Sequence, residues 1–151
     1  MQLTIRRNNH EIKKQLISLA VMGVLTAGTA ASAFAAGIGT VNFETLMTSH
    51  RNYQKAVVQM QGAVKQADSE FNQKAAAMKT DDQRRALAQQ LNQRLNALQV
   101  QLFGPIQQDI ANKVNAVRKE KGLDAIVFQG SVIAADNAPV DETQDVLAKL
   151  K

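Results

Sequence analysis

The chain has 151 residues, of which 45% are hydrophobic and 21% are charged, and it contains no cysteine. The lack of cysteine excludes disulfides, thiolate chemistry and lipidation of an N-terminal cysteine. The formal net charge of +5 falls to +2 over residues 36–151, because the first 35 residues contribute +3. A charge of +2, with few aromatic side chains available for base stacking, disfavours nucleic acid as a partner.

Residues 1–35 have the order of a secretory signal peptide. Basic residues precede an apolar stretch at Leu16–Leu25, and a tract of small residues ends in Ala33-Phe34-Ala35. The apolar stretch is about half of the roughly 20 residues that span a bilayer, so a membrane anchor is the weaker alternative. We expect export, cleavage after about Ala35 and a single domain over residues 36–151.

Two apolar seams with helical spacing follow a short alternating strand predicted at residues 38–43. The seam residues are Leu46, His50, Tyr53, Val57, Met60, Val64, Ala67 and Phe71, then Leu87, Leu91, Leu95, Leu98, Leu102, Ile106, Ile110, Val114 and Val117. Folding the chain at residues 79–82 would bring Phe71 opposite Leu91 and Met60 opposite Leu102. One apolar seam on each helix, facing its mirror image, is typical of an antiparallel coiled-coil hairpin.

The ends of the two helices carry recognisable signals. We expect helices at about 44–79 and 81–121, because Thr80 with Gln83 has the spacing of a capping box. Asp81 and Asp82 suit the first turn of the second helix, and Gly122 suits its end. Only Pro105, preceded by Gly104, interrupts the second helix.

The remaining residues predict a small sheet. Strands are expected at about 125–128 and 132–135, joined by a turn at Gly130-Ser131, and a terminal helix at about 142–150 is capped by Asp141. Two or three short strands are not stable alone in water. The sequence therefore predicts an α+β fold, in which a long helical hairpin projects as an arm from a β-strand body that oligomerises.

Three segments of the chain resemble the OmpH/Skp family of periplasmic outer-membrane-protein chaperones. Residues 38–46 resemble the family's opening strand and helix entry, and residues 122–128 resemble its return strand. Residues 141–151, Asp-Glu-Thr-Gln-Asp-Val-Leu-Ala-Lys-Leu-Lys, are similar to its terminal helix and are the most specific of the three.

This resemblance implies a homotrimer with a barrel-like body of strands and three helical arms. The arms would enclose unfolded outer-membrane proteins in the periplasm without ATP or another cofactor. The alternative is a structural or adaptor coiled coil of the cell envelope that binds no client. The arms here are shorter than in the best-known member, which bears on the size of the enclosed space.

Catalysis finds no support in residues 36–151, which contain one histidine, one tyrosine and no cysteine. His50 falls on the first seam and is expected to be a partly buried structural residue. A single histidine does not supply a metal site of the usual ligand number, so no metal is expected. The sequence predicts a protein that is not an enzyme.

Three groups of residues are candidates for functional roles. A mixed basic and apolar group at the end of the arm, here called the tip cluster, would bind unfolded clients, with anionic membrane lipid or lipopolysaccharide as alternative partners. Gly104 and Pro105 would form either a hinge or a static kink. The tip cluster consists of Lys74, Met78, Lys79, Arg84, Arg85 and Arg94, and the expected oligomerising body includes Ile38, Val41, Phe43, Ile126, Phe128 and Ile133.

Overall fold

The computed structural model describes residues 37–151, so the predicted signal peptide lies outside the described residues. Most of these residues are helical, and a small sheet accompanies one long helix. The order of elements is β1 (Ile38–Val41), α1 (Phe43–Ser49), α2 (Tyr53–Ala75), α3 (Asp81–Lys121), β2 (Ala125–Phe128), β3 (Val140–Asp141) and α4 (Thr143–Leu150).

The described residues form two compact units. One unit contains residues 37–51 and 106–151, and the other is Asn52–Pro105. Within residues 37–151, none of the helices contains an apolar stretch that would span a membrane.

The sheet of the first unit is parallel throughout, with strand order β2-β1-β3. Val41 is in register with Phe128 on one side of β1, and Thr40 is in register with Asp141 on the other. Because neighbouring parallel strands need a long connection, α1, α2 and α3 all lie between β1 and β2 in the sequence.

The strand predicted at 132–135 is wrong. Those residues are irregular, and the third strand is the short pair Val140–Asp141. An antiparallel hairpin would have allowed an immediate return after Gly130. A third strand parallel to β1 requires a crossover back to the start of the sheet, and residues 129–139 form that crossover.

Local hydrogen bonds connect the sheet with α1 and α4. Asn42 caps α1 by accepting a hydrogen bond from the Thr45 amide at 3.0 Å, while its own amide donates to the Thr143 hydroxyl at 2.9 Å. The Asp141 carboxylate accepts from the Thr143 amide at 3.0 Å, at the start of α4. Helices α1 and α4 pack together, and the buried apolar residues of this unit are Val41, Leu46, Met47, Ile106, Ile110, Val117, Ile126, Val146 and Leu150.

The single helix predicted over 44–79 is interrupted between α1 and α2. His50 has an extended backbone, with φ −68° and ψ 132°, and its amide donates to the Met47 carbonyl. Thr48 already bonds back to the Glu44 carbonyl at 2.9 Å, as short hydroxyl side chains do when they compete with helical hydrogen bonding. With this extended backbone, the ring of His50 lies against Asp109 on α3. A continuous helix would direct the ring elsewhere.

Helix α3 begins and ends where its capping signals predict. The Thr80 hydroxyl accepts from the Gln83 amide at 3.2 Å, and the Gln83 side chain accepts from the amides of Lys79 and Thr80. At the other end, Gly122 has φ +65°. The amides of Gly122 and Leu123 satisfy carbonyls of the last turn, which is a Schellman motif.

The second unit is held by apolar side chains of the two seams. Ala67, Leu87 and Leu91 form a buried cluster, against which Phe71, Met78 and Leu95 pack. The rings of Tyr53 and Phe103 meet edge to face at 6.0 Å. Every residue of the two seams in residues 37–151 is buried or half-buried, whereas the large apolar residues exposed on α2 and α3 are Val58 and Val100.

Candidate functional site: the turn between α2 and α3

The turn between α2 and α3 holds Met78 against the apolar cluster of the second unit. Helix α2 ends at Ala75, before the predicted residue 79, because the next residues form tight turns. The amide of Ala77 donates to the Lys74 carbonyl, and the amide of Met78 donates to the Ala75 carbonyl, both at 3.2 Å. Met78 is therefore half-buried and packs against the cluster of Ala67, Leu87 and Leu91 instead of facing solvent.

Two cations of the tip cluster pair with one carboxylate. Glu70 pairs with Lys74 at 2.7 Å and with Arg94 at 2.6 Å. Hydrogen bonds from Lys74 and Arg94 hold the pKa of Glu70 below its ordinary value. The sequence analysis did not include Glu70, although the mirror relation of the seams places residue 70 close to residue 94.

Arg84 is also engaged within the turn. Its guanidinium donates to the Asp81 carboxylate at 2.7 Å and to the Met78 carbonyl at 2.8 Å. This pair of bonds fixes the chain between α2 and α3. Arg84 thus stabilises the turn and has limited capacity to bind a partner.

Lys79 and Arg85 remain as the uncompensated cations of the tip cluster. Both are exposed, and no carboxylate of residues 37–151 lies within ion-pair distance of either. The six predicted residues therefore divide into three paired cations, the packed Met78 and two cations that are exposed.

An open groove of about 510 Å³ lies beside Lys79. We call it the tip groove. Its apolar lining is Ala77, Met78, Ala86 and Leu87, and its polar lining is Lys79, Gln83 and Gln90.

Gly104 and Pro105 lie inside α3, which continues through them to Lys121. A side chain at Gly104 would have open space around it. The boundary between the two units follows Pro105. Pro105 lacks the amide proton that would bond to the carbonyl four residues earlier, so the helix has one hydrogen bond fewer here.

The predicted body residues lie around the sheet, with one exception. Val41 and Ile126 are buried, and the rings of Phe43 and Phe128 meet edge to face at 5.5 Å. Ile38 begins β1. Ile133 lies in the crossover before β3 and is 99% exposed, so it packs with none of the others.

His50 forms a buried polar contact with α3. Its Nε2 lies 3.1 Å from the Asp109 carboxylate, and its side chain is 4% exposed. Burial raises the pKa of Asp109, but its hydrogen bond with His50 and the charge of Lys113 outweigh that effect, so the pKa lies below its ordinary value. Within residues 37–151, no group of three His, Cys, Asp or Glu side chains is placed to hold a metal ion.

Residues 79–150 match a protein family described as outer membrane protein, OmpH-like. The match covers 72 of the 151 residues, so it shows similarity to this family over that part of the chain. The resemblance identified in the sequence is thereby confirmed over α3, the second and third strands and α4. Proteins of this family are periplasmic chaperones of outer-membrane proteins. A comparison with curated proteins finds no match.

A buried carboxylate in the OmpH-like segment was missed by the sequence analysis. Glu142 is 3% exposed, and its Oε2 has no hydrogen-bond partner within residues 37–151. The Lys121 ammonium lies 3.6 Å from this oxygen and 3.3 Å from the Asp145 carboxylate. Burial raises the pKa of Glu142, and Asp145 raises it further. The hydrogen bond from Glu142 in turn lowers the pKa of Asp145.

Proposed function

We propose that this chain is a periplasmic holdase that binds unfolded outer-membrane proteins without ATP. The observation that carries the proposal is the match of residues 79–150 to the OmpH family. The proposal includes export by a signal peptide cleaved after about Ala35. Catalysis plays no part in it, and no cofactor or metal is required.

The proposed architecture is an antiparallel hairpin of α2 and α3 on an oligomerising body. Contacts at two levels support the hairpin, namely Tyr53 with Phe103 and Glu70 with Arg94. Exposed Ile133 and Val140, at 99% and 59%, support association of the body. A homotrimer would cover such apolar side chains and add strands to a sheet of three.

Clients would contact the surfaces that the seams leave free. The seam side chains are buried or half-buried, so the apolar groups available on α2 and α3 are few, and Val58 and Val100 are the largest of them. Many weak contacts with such a surface hold an unfolded chain and still allow its release. The tip cluster adds positive charge through Lys79 and Arg85.

Gly104 and Pro105 are proposed as a hinge in α3. The missing helical hydrogen bond at Pro105 and the open space beside Gly104 support bending at this point. Spin-label distance distributions test it. A narrower distribution across the helix in Pro105→Ala supports a hinge, and an unchanged width indicates a static kink.

Suppression of aggregation distinguishes a holdase from a structural coiled coil. Residues 36–151 in modest excess should keep an outer-membrane β-barrel soluble when its urea is diluted. The double variant Val58→Ser with Val100→Ser should suppress aggregation less well. Gln59→Ser with Gln101→Ser is the matched control, because it changes exposed neighbours without removing apolar surface. A wild-type protein that leaves aggregation unchanged would contradict the proposal and favour the structural role.

A further inference from the structure

The chemistry of the tip groove is asymmetric. Ala77, Met78 and Leu87 supply an apolar lining, whereas Lys79, Gln83 and Gln90 supply the polar groups, of which one is positively charged. Lys79 supplies that charge and has no ion-pair partner among residues 37–151. Arg85 is also exposed and unpaired in the same range, but it does not line the groove.

The capping box determines which end of the Gln83 amide is available. Its Oε1 accepts hydrogen bonds from the amides of Lys79 at 3.2 Å and Thr80 at 3.4 Å. The oxygen is therefore committed to the start of α3. The Nε2 group makes no hydrogen bond within residues 37–151, so it remains an available donor on a residue that lines the groove.

A partner that matches this surface needs an apolar side chain, an acceptor for amide donors and a negative charge. An extended peptide has all three, because its backbone carbonyls accept hydrogen bonds and its side chains alternate along the chain. We infer that the tip groove binds an extended, apolar segment of an unfolded client that carries an acidic side chain. This inference rests on the proposed holdase function and specifies the class of client segment.

An anionic membrane surface fits the same groove less well. Recognition of acidic lipid takes a cluster of about four to eight basic residues. In the tip cluster, Glu70 and Asp81 form ion pairs with three of the cations, which leaves Lys79 and Arg85 unpaired within residues 37–151. The available amide donor of Gln83 also suits the carbonyls of an extended peptide.

A charge-swap experiment tests the inference. The probes are two short fluorescent peptides of alternating valine and threonine, one with a central aspartate and one with a lysine in its place. Wild-type residues 36–151 should bind the aspartate peptide at least about tenfold more tightly, a difference of about 1.4 kcal/mol. Lys79→Glu should reverse this preference, because the groove then carries the opposite charge.

Two further variants separate the groove from general charge and from misfolding. Ala86→Leu places a larger side chain in the groove without changing charge, and it should weaken binding of both peptides. Its matched control is Ala97→Leu, an exposed alanine on the same helix that does not line the groove. Lys65→Glu is the control for charge, because Lys65 is exposed and unpaired within residues 37–151. Far-ultraviolet circular dichroism checks the helix content of each variant.

Several results would overturn the inference. If Lys79→Glu and Lys65→Glu weaken binding of the aspartate peptide equally, binding would be assigned to net charge. If Lys79→Glu loses binding to anionic vesicles but binds the peptides as the wild type does, the groove would be assigned to lipid. If Ala86→Leu changes the sedimentation of the protein and Ala97→Leu does not, the groove would be assigned to contact with a second copy of the chain. Wild-type suppression of aggregation without peptide binding would overturn the groove alone, whereas failure to suppress aggregation would overturn the proposed function itself.

Discussion

Glu142→Gln should stabilise the protein at mildly alkaline pH and have little effect near pH 5. Glu142 is 3% exposed, and its Oε2 lacks a hydrogen bond within residues 37–151. An unsatisfied buried polar group costs about 1–3 kcal/mol. The Lys121 ammonium at 3.6 Å is 46% exposed, so solvent screens its attraction for this oxygen, which offsets only part of that cost. The net penalty for the ionised carboxylate is therefore about 1 kcal/mol.

The pH dependence follows from the direction of the pKa shift. Burial raises the pKa of Glu142, so the folded state binds a proton more tightly than the unfolded state. Its stabilising contribution is complete below the ordinary glutamate pKa and is lost as pH rises through the raised value. The pKa of Asp145 is lowered by its hydrogen bond with Glu142, and that contribution is lost only as pH falls. A glutamine at position 142 has no proton to lose, so its effect should appear only on the alkaline side.

Urea unfolding followed by circular dichroism, at one protein concentration and at about pH 5 and about pH 8, measures this difference. The control is Glu120→Gln, which removes an exposed carboxylate paired with Lys149 at 2.6 Å. It should lower the unfolding free energy by at most about 1 kcal/mol at both values. The contributions of all other titrating groups to the unfolding free energy are the same in wild type and variant, so they cancel in the difference. Equal destabilisation by Glu142→Gln at both pH values would refute the reasoning.

Further predictions concern the second unit and its turn. Leu91→Ala should lower the unfolding free energy by about 2–4 kcal/mol, because Leu91 is 5% exposed in the apolar cluster. Val100→Ala, at 68% exposure, should change the unfolding free energy by less than about 0.5 kcal/mol. Equal losses for the two variants in urea unfolding would contradict the packing of the seam residue Leu91. Thr80→Ala should cost about 1 kcal/mol by removing the acceptor for the Gln83 amide, whereas Thr48→Ala should not, since Thr48 only bonds back within α1. Sedimentation of residues 36–151 should give a trimer, and a stable folded monomer would remove the proposed body interface.

Periodicity predicted the helices well because a helix that is buried on one side has apolar residues at regular spacings of three and four. The seams, the capping box at Thr80 and the stop at Gly122 all depend on residues that are close in the sequence. The break at His50 was missed because it depends on Asp109, which is distant in the sequence. The apolar spacing of the first seam continues unchanged through His50, so the sequence pattern does not indicate the helix break.

The third strand and the tip cluster show the limits of local patterns. Residues 132–135 are apolar, but a parallel register with β1 makes them part of a crossover and leaves Ile133 exposed. Charge counting identified the cations of the tip cluster but not the role of Glu70, which pairs with Lys74 on its own helix and with Arg94 on the next one. Glu142 looks like an ordinary first-turn acid in the sequence, and only the contact of α3 with α4 shows that it is buried.

The state of a bound client tests the holdase proposal most directly. The chain contains no tryptophan, so tryptophan fluorescence in a mixture reports the client alone. An outer-membrane β-barrel diluted from urea into excess residues 36–151 should sediment as a soluble complex with the emission of an unfolded chain. Addition of lipid vesicles without ATP should then shift that emission as the barrel folds. A client that pellets alone, with none sedimenting together with this protein, would contradict the proposal.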